Sequence, residues 1–398
     1  RWDERSVNPT TPDPDVEIVR VKIKDWEEGH ETWTGDWHAV MKLLPNVRRL
    51  DLSKVSIRNR HRWYKTGSNR GLRQLSILER RTVDQLDDNN RLVGTLAKFC
   101  PEIEYLEGSG SSKGASLHGN WTCDLDVWSE FCRSCVSLRI FDLQVVPFSD
   151  LYLSPFAATA KPQLRSLTMG YAEHENGIAL RDLRVSPQVL ASIFGSLPAL
   201  EKLTFKCKGE PNGTLFELST LLTDDLVAAL ITGCRRLRHL DWRIMCGAFN
   251  AQLRLAQFTD TSLVALATLP SFEHLDIPLV STACSHDGLL AFARSNRSTA
   301  SPSRTLQFEL DPTGERGSVL AFLDRLLAEE EDLFAGPRLQ MLLKTTILMS
   351  QEASNQLRAR LAQRHVNAIF YRSYMLIGGE MPIRLVILGT SDGSVADS

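Results

Sequence analysis

"TDDLVAALITGCRRLRHLDWRI" (residues 223–244) decides how this chain folds. Taken for chemistry, it sets Cys234 among Arg235, Arg236, Arg238 and His239, with Trp242 and Arg243 close behind: a thiol among bases, or a basic patch with an aromatic. Taken for architecture, it is a helix opening on Thr223, a turn, and a short strand. Self-similarity along the chain selects the second reading.

The strand "LRHLDW" (237–242) recurs as "VRRLDL" (47–52), "LRQLSI" (72–77), "IEYLEG" (103–108), "LRIFDL" (138–143), "LRSLTM" (164–169), "LEKLTF" (200–205) and "FEHLDI" (272–277). Weaker copies are "IVRVKI" (18–23), "LQFEL" (306–310) and "LQMLL" (339–343). The approach to each strand repeats as well. Three positions before the first apolar residue stand Leu44, Cys100, Cys135, Leu197, Cys234 and Leu269. Two positions before it stand Pro45, Pro101, Pro162, Pro198, Pro270 and Pro337, each of which ends a helix and sets an extended approach. Between strands, "DDNNRLVGTLAKFC", "CDLDVWSEFCRSC", "SPQVLASIFGSLP", "TDDLVAALITGC" and "TDTSLVALATLP" carry Ser, Thr or Asp at their starts and apolar residues at helical spacing.

Each unit is therefore strand, loop, helix and turn, at a spacing of roughly 25 to 37 residues, near that of leucine-rich repeats. No unit can bury its apolar face alone, so the expected fold is an α/β leucine-rich-repeat solenoid: curved, parallel strands on the concave face, helices on the convex face. The expected layout is a lead-in at 1–16, a single solenoid of about ten to twelve irregular repeats at 17–389, and a disordered tail at 390–398. "GSGSSKGASLHGN" places a flexible excursion at 107–122, and long strand-to-helix loops are expected at 206–220 and 246–258.

"LTDDLVAALITGCRRLRHLDW" resembles the cysteine-containing repeat of F-box/leucine-rich-repeat proteins, and "FTDTSLVALATLPSFEHLDI" resembles a cysteine-free copy of it. The resemblance implies a substrate receptor of a cullin-type ubiquitin ligase, in which an F-box before the repeats holds the ligase adaptor. The chain itself shows no F-box, so the adaptor is expected as a partner only through an upstream one. The resemblance also implies that the first, fourth and sixth strand residues point inward and the third, fifth and seventh face the concave surface. That assigns Lys202, Thr204 and Lys206, then His239, Asp241 and Arg243, then His274 and Asp276, to one polar patch for a protein partner. Strands about 4.8 Å apart would make it contiguous.

Bulk composition fits a non-enzymatic binder. Lys plus Arg (46) nearly balances Asp plus Glu (48), so the chain as a whole does not attract nucleic acid or anionic membrane. No stretch has the roughly 18 uncharged apolar residues of a membrane helix, and no membrane partner is expected. Eight cysteines in 398 residues are too dilute for a disulfide scaffold and point to the cytoplasm or nucleus. The opening "RWDERSVNPTTPDPD" is charged and Pro-rich, unlike a signal peptide, and lacks an initiator Met, so an upstream module is expected.

"CRSC" (132–135) is one CxxC with no second pair to complete a zinc site, and neither HExxH nor a P-loop occurs, so no metal, cofactor or catalytic residue is expected. "RNRHRWYK" (58–65) offers Arg58, Arg60, Arg62, Trp63 and Lys65 as a basic patch for nucleic acid, against a plainer reading as a solvated loop. A ligand-sensing repeat region of an immune or signalling receptor is the remaining alternative. There the missing upstream module would bind nucleotide.

Overall fold

The computed structural model describes residues 18–20, 46–51, 71–77, 86–108, 123–142, 148–172, 185–209, 221–246, 255–277, 282–295, 304–309, 324–325, 327–328, 339–349, 351–363, 366–372 and 381–389. The chain divides into two compact units, Arg1–Leu200 and Glu201–Ser398. The basic patch at 58–65 and the segment 109–122 lie outside the described residues.

In the first unit the repeated hexamers are strands: β1 (Ile18–Arg20), β2 (Arg49–Asp51), β3 (Gln74–Ile77), β4 (Tyr105–Gly108), β5 (Ile140–Asp142) and β6 (Ser166–Ala172). Each pairs in parallel with the next in sequence. From β2 to β6 the register aligns the fourth residue of each hexamer, so Leu50, Leu75, Leu106, Phe141 and Leu167 form one row; the weaker copy at 18–23 is shifted by two, with Val19 rather than its fourth residue beside Leu50. Parallel neighbours need a crossover, and α1 (Leu86–Phe99), α2 (Leu125–Ser134) and α3 (Asp150–Ala157) supply it between β3 and β6, while α4 (Pro187–Gly195) follows β6. The four strand pairings from β2 to β6 and the helices α1, α2 and α4 fall where the sequence pattern puts them. Helix α3 carries Pro155 inside it and was not legible in the pattern.

The second unit continues the plan with β7 (Lys202–Gly209), α5 (Asp224–Gly233), β8 (His239–Cys246), β9 (Leu255–Thr259), α6 (Asp260–Ala267), β10 (His274–Ile277), β11 (Thr282–Ala283), α7 (His286–Ser295), β12 (Arg304–Glu309) and β13 (Leu339–Met349). Strands β7, β8, β10, β12 and β13 pair in parallel in that order. Two expected loops are partly strand. Residues Lys206–Gly209 of β7 stay paired with Arg243–Cys246 of β8, and β9 forms a small parallel pair with β11. The extension follows from the stacked rings of Phe205 and Trp242, 4.0 Å between centroids, which lock the two strands at the point where they would otherwise diverge. Beyond β13 the pairing changes sense. After α8 (Gln351–Ala362), β14 (Val366–Arg372) and β15 (Met381–Gly389) pair antiparallel, and β15 also pairs antiparallel with β13. Their β-branched and aromatic runs, "VNAIFYR" and "PIRLVILG", suit a sheet.

The core lies between strands and helices. Leu203 and Phe205, Leu237, Leu240 and Trp242, and Phe272, Leu275 and Ile277 are all buried, as first, fourth and sixth positions require. Each such side chain contributes about 1.5–3 kcal/mol relative to exposure. The slot before the strand is buried too, in Cys100, Cys135, Leu197, Cys234 and Leu269. In the repeat that ends on β6 that slot holds Lys161, which is fully buried. Its ammonium donates to the carbonyls of Thr159 (3.0 Å) and Cys132 (3.3 Å) and lies 4.6 Å from the Phe156 ring centroid. Cys132 sits in the last turn of α2, where carbonyls lack helical partners and a cation is favoured.

Neighbouring repeats are tied at their helix starts. The Asn90 carboxamide accepts from Asp124 N (2.6 Å) ahead of α2, and Asp150 accepts from Ser186 N (2.8 Å), the cap of α4. Asp224, the first residue of α5, accepts from Thr259 N (2.9 Å), Thr259 Oγ1 (2.5 Å) and Ser262 Oγ (2.5 Å) of the next repeat. Asp260, the first residue of α6, does the same for Ser285 N (2.7 Å) and Ser285 Oγ (2.5 Å). A Cβ at position 288 would collide with the Asp260 carboxylate, which is why glycine stands at Gly288.

Candidate functional site

The eight residues assigned to the patch all lie in the second unit, and the ladder brings them together. Lys202 pairs with His239 and His239 with His274; Thr204 pairs with Asp241 and Asp241 with Asp276; Lys206 pairs with Arg243. The first two rows cross β7, β8 and β10, and the third joins β7 and β8.

Their exposure differs by row. In the third-position row Lys202 is exposed and His239 and His274 are half-buried. In the fifth-position row the side chains are covered: Thr204 is 3% exposed, Asp241 8% and Asp276 6%. Short side chains on closely spaced strands are overshadowed by longer neighbours two residues along and one strand across. These three form the floor of the face rather than its contact surface. Asp142 occupies the same slot in the first unit and is covered in the same way.

The second strand position, which the pattern had left unassigned, sets the electrostatics. Glu273 receives Arg238 through Nε (3.0 Å) and a closer Nη2 contact, and His239 Nε2 lies 3.4 Å from its other oxygen. Burial holds the His239 imidazole below its ordinary pKa. Glu273 opposes that shift, while His274, Lys202 and Arg238 add to it. The His239 and His274 rings stand 5.8 Å apart between centroids, tilted by 45°. In the first unit the same position forms a clamp, with Glu104 held by Arg73 (3.0 Å) and Arg139 (3.1 Å). The signal was available in the sequence: the second residue of successive hexamers reads Arg48, Arg73, Glu104, Arg139, Arg165, Glu201, Arg238 and Glu273, so each Glu has an Arg at the same position on either side in the chain, except the last, which follows one.

The cysteines behave as packing groups. Cys100, Cys123, Cys132, Cys135 and Cys234 are all buried. Burial pushes the thiols up, Cys100 to about 11 and Cys135 and Cys234 to about 12, so none is a thiolate at neutral pH. For Cys123 an adjacent Asp124 adds to that effect, again to about 12. Among the described residues no three His, Cys, Asp or Glu side chains converge as a metal site would require, and no helix is long and apolar enough to cross a membrane.

No family model matches the chain. No curated protein is similar to it in sequence. Solved structures that resemble it include a TLR13–ssRNA13 complex (16% identity, TM-score 0.36), which covers 81% of this chain and 39% of that one. They also include a Rad7 and Elc1 complex in yeast (14% identity, TM-score 0.32, covering 72% and 76%). A third is the leucine-rich repeat-containing protein LegL7 from Legionella pneumophila (12% identity, TM-score 0.35, covering 83% and 95%). The chain thus spans well under half the length of the first of these. The parallel strand–helix repeats of both units make the fold an α/β leucine-rich-repeat solenoid.

Proposed function

We propose that this chain is a non-enzymatic protein-interaction module that takes its partner on the sheet face of the second unit. In the cell it would be the substrate-recognition repeat region of an F-box-type ubiquitin ligase receptor, working in the cytoplasm or nucleus. The observation that supports a binding face is the Lys202–His239–His274 row, three protonated or protonatable side chains held on adjacent rungs of one ladder. Rigid display by stacked strands lowers the entropy cost of recognition. The F-box assignment is supported by the sequence resemblance of residues 222–242 and 258–277, and the ligase adaptor would be held by an F-box upstream of the repeats.

The test replaces Lys202, His239 and His274 together by Ala and leaves the covered Asp241 in place. The triple variant is expected to melt with the parent and to lose its cross-linked partners from a cell extract. Recovery of every partner at parental yield would remove this face from consideration.

A further inference from the structure

We infer that β14 is a pairing edge for a second copy of this chain: two β14 strands join antiparallel about a two-fold axis and extend the sheet of one second unit into that of the other.

The regularity of the strand is the first ground. In the order β13–β15–β14 the last strand has a single neighbour among the described strands. It pairs with β15 at all seven residues, from Val366 with Gly389 to Arg372 with Ile383, without a break in register. The β13–β15 ladder, by contrast, shifts between Leu343 and Ile347. Along a strand, successive residues turn their N–H and C=O groups to opposite edges, so even pairing on one side leaves an equally even row of donors and acceptors on the other. Proteins blunt such edges with a short strand, a Lys or Pro, an inward charge, a bulge, or a covering segment. "VNAIFYR" has no Pro, Lys, Asp or Glu and no bulge, and its seven residues run about 23 Å. No described segment pairs along its outer edge.

Self-complementarity selects the occupant. The edge strand of the first unit, β1, has three residues and would leave more than half of β14 unpaired. A β14-to-β1 contact would also be head-to-tail and would not close in a pair, whereas β14 on β14 matches length to length and closes. Centred on Ile369, that pairing sets Ala368 beside the partner's Phe370, Asn367 beside the partner's Tyr371, and Val366 beside the partner's Arg372. Arg372 is the one charged residue of the strand, so this register brings no like charges opposite each other.

Light scattering of the whole chain from about 1 to about 300 μM, a range suited to a small interface, is expected to show monomer passing to dimer. Over the same series the outward amides of Val366–Arg372 are expected to exchange hydrogen on the order of ten-fold more slowly as the dimer fills. Ile369→Glu and Ile369→Lys should each stay monomeric, since like charges then meet at the centre of the pair, and their equimolar mixture should recover the dimer. A parent chain that stays monomeric throughout overturns the inference, as does a dimer whose β14 amides exchange at the monomer's rate. Outward amides already protected in the dilute monomer overturn it too, because the chain then covers its own edge. Should either variant lose the parental circular dichroism spectrum, the exchange series on the parent decides alone.

Discussion

Asp224→Ala tests the tie between repeats, because one carboxylate holds three donors that belong to the next helix. Asp224 accepts from Thr259 N, Thr259 Oγ1 and Ser262 Oγ, all within 2.9 Å. Ser262 is buried, so deleting its acceptor strands a hydroxyl away from water at about 1–3 kcal/mol. Thr259 is half-buried and regains water, and the loss there is about 1 kcal/mol. Together the variant is expected to lose about 2–4 kcal/mol.

Proton linkage sharpens that test. Burial pushes the Asp224 carboxyl up, but the hydrogen bonds from Ser262 and Thr259 outweigh it and hold it below the ordinary carboxylate value. A folded-state value below the unfolded one, about 3.9, means the stabilisation is complete above that pH. It is lost as pH falls through the folded value. Urea melts followed by circular dichroism should therefore show a full gap between parent and Asp224→Ala at neutral pH that narrows below about pH 4. Asp224→Asn should cost less, since Asn90 already plays this role ahead of α2. A neutral-pH gap under about 0.5 kcal/mol, or a gap indifferent to pH, would refute the reasoning.

Two other perturbations probe the core. Leu240→Asp, at a position ladder-paired with Leu203 and Leu275 and wholly buried, should cost about 3–5 kcal/mol in the same melts; parental stability would overturn the strand register. Lys161→Met should stay within about 1.5 kcal/mol of the parent at neutral pH while Lys161→Ala loses about 2–4, because volume rather than charge fills the slot. Burial holds the Lys161 ammonium below its ordinary value, against the nearby Cys132 and Cys135. The unfolded chain therefore binds the extra proton between the folded value and about 10.4, and the parent should gain on Lys161→Met as pH rises through that window.

The strands and most helices were legible because their signals are local. Leu237, Leu240 and Trp242 announce a buried row within six residues, and Cys234 announces the slot before it by recurring as Cys100 and Cys135. What escaped depends on partners a whole repeat away. The Arg73–Glu104–Arg139 clamp and the Asp224–Thr259 tie exist only once the register is set, and each half looks like ordinary surface polarity in the sequence. The covering of Asp241 and Asp276 escaped for a related reason: alternation says which side of a strand a residue takes, while depth on that side depends on the neighbours' length. Lys161 is the clearest case, a charged residue in an apolar slot, betrayed only by its place before Pro162.

The ties at the helix starts bear on how such a chain tolerates change in length. Asn90 to Asp124 spans 34 residues, Asp150 to Ser186 36, Asp224 to Thr259 35, yet Asp260 to Ser285 spans only 25. Each carboxylate or carboxamide finds the next helix start whatever loop precedes it, so the phase of the stack is renewed at these four turns instead of being carried forward as an accumulated count. Segments between strand and helix are thereby free to grow, shrink and acquire new contacts while the strands stay in step.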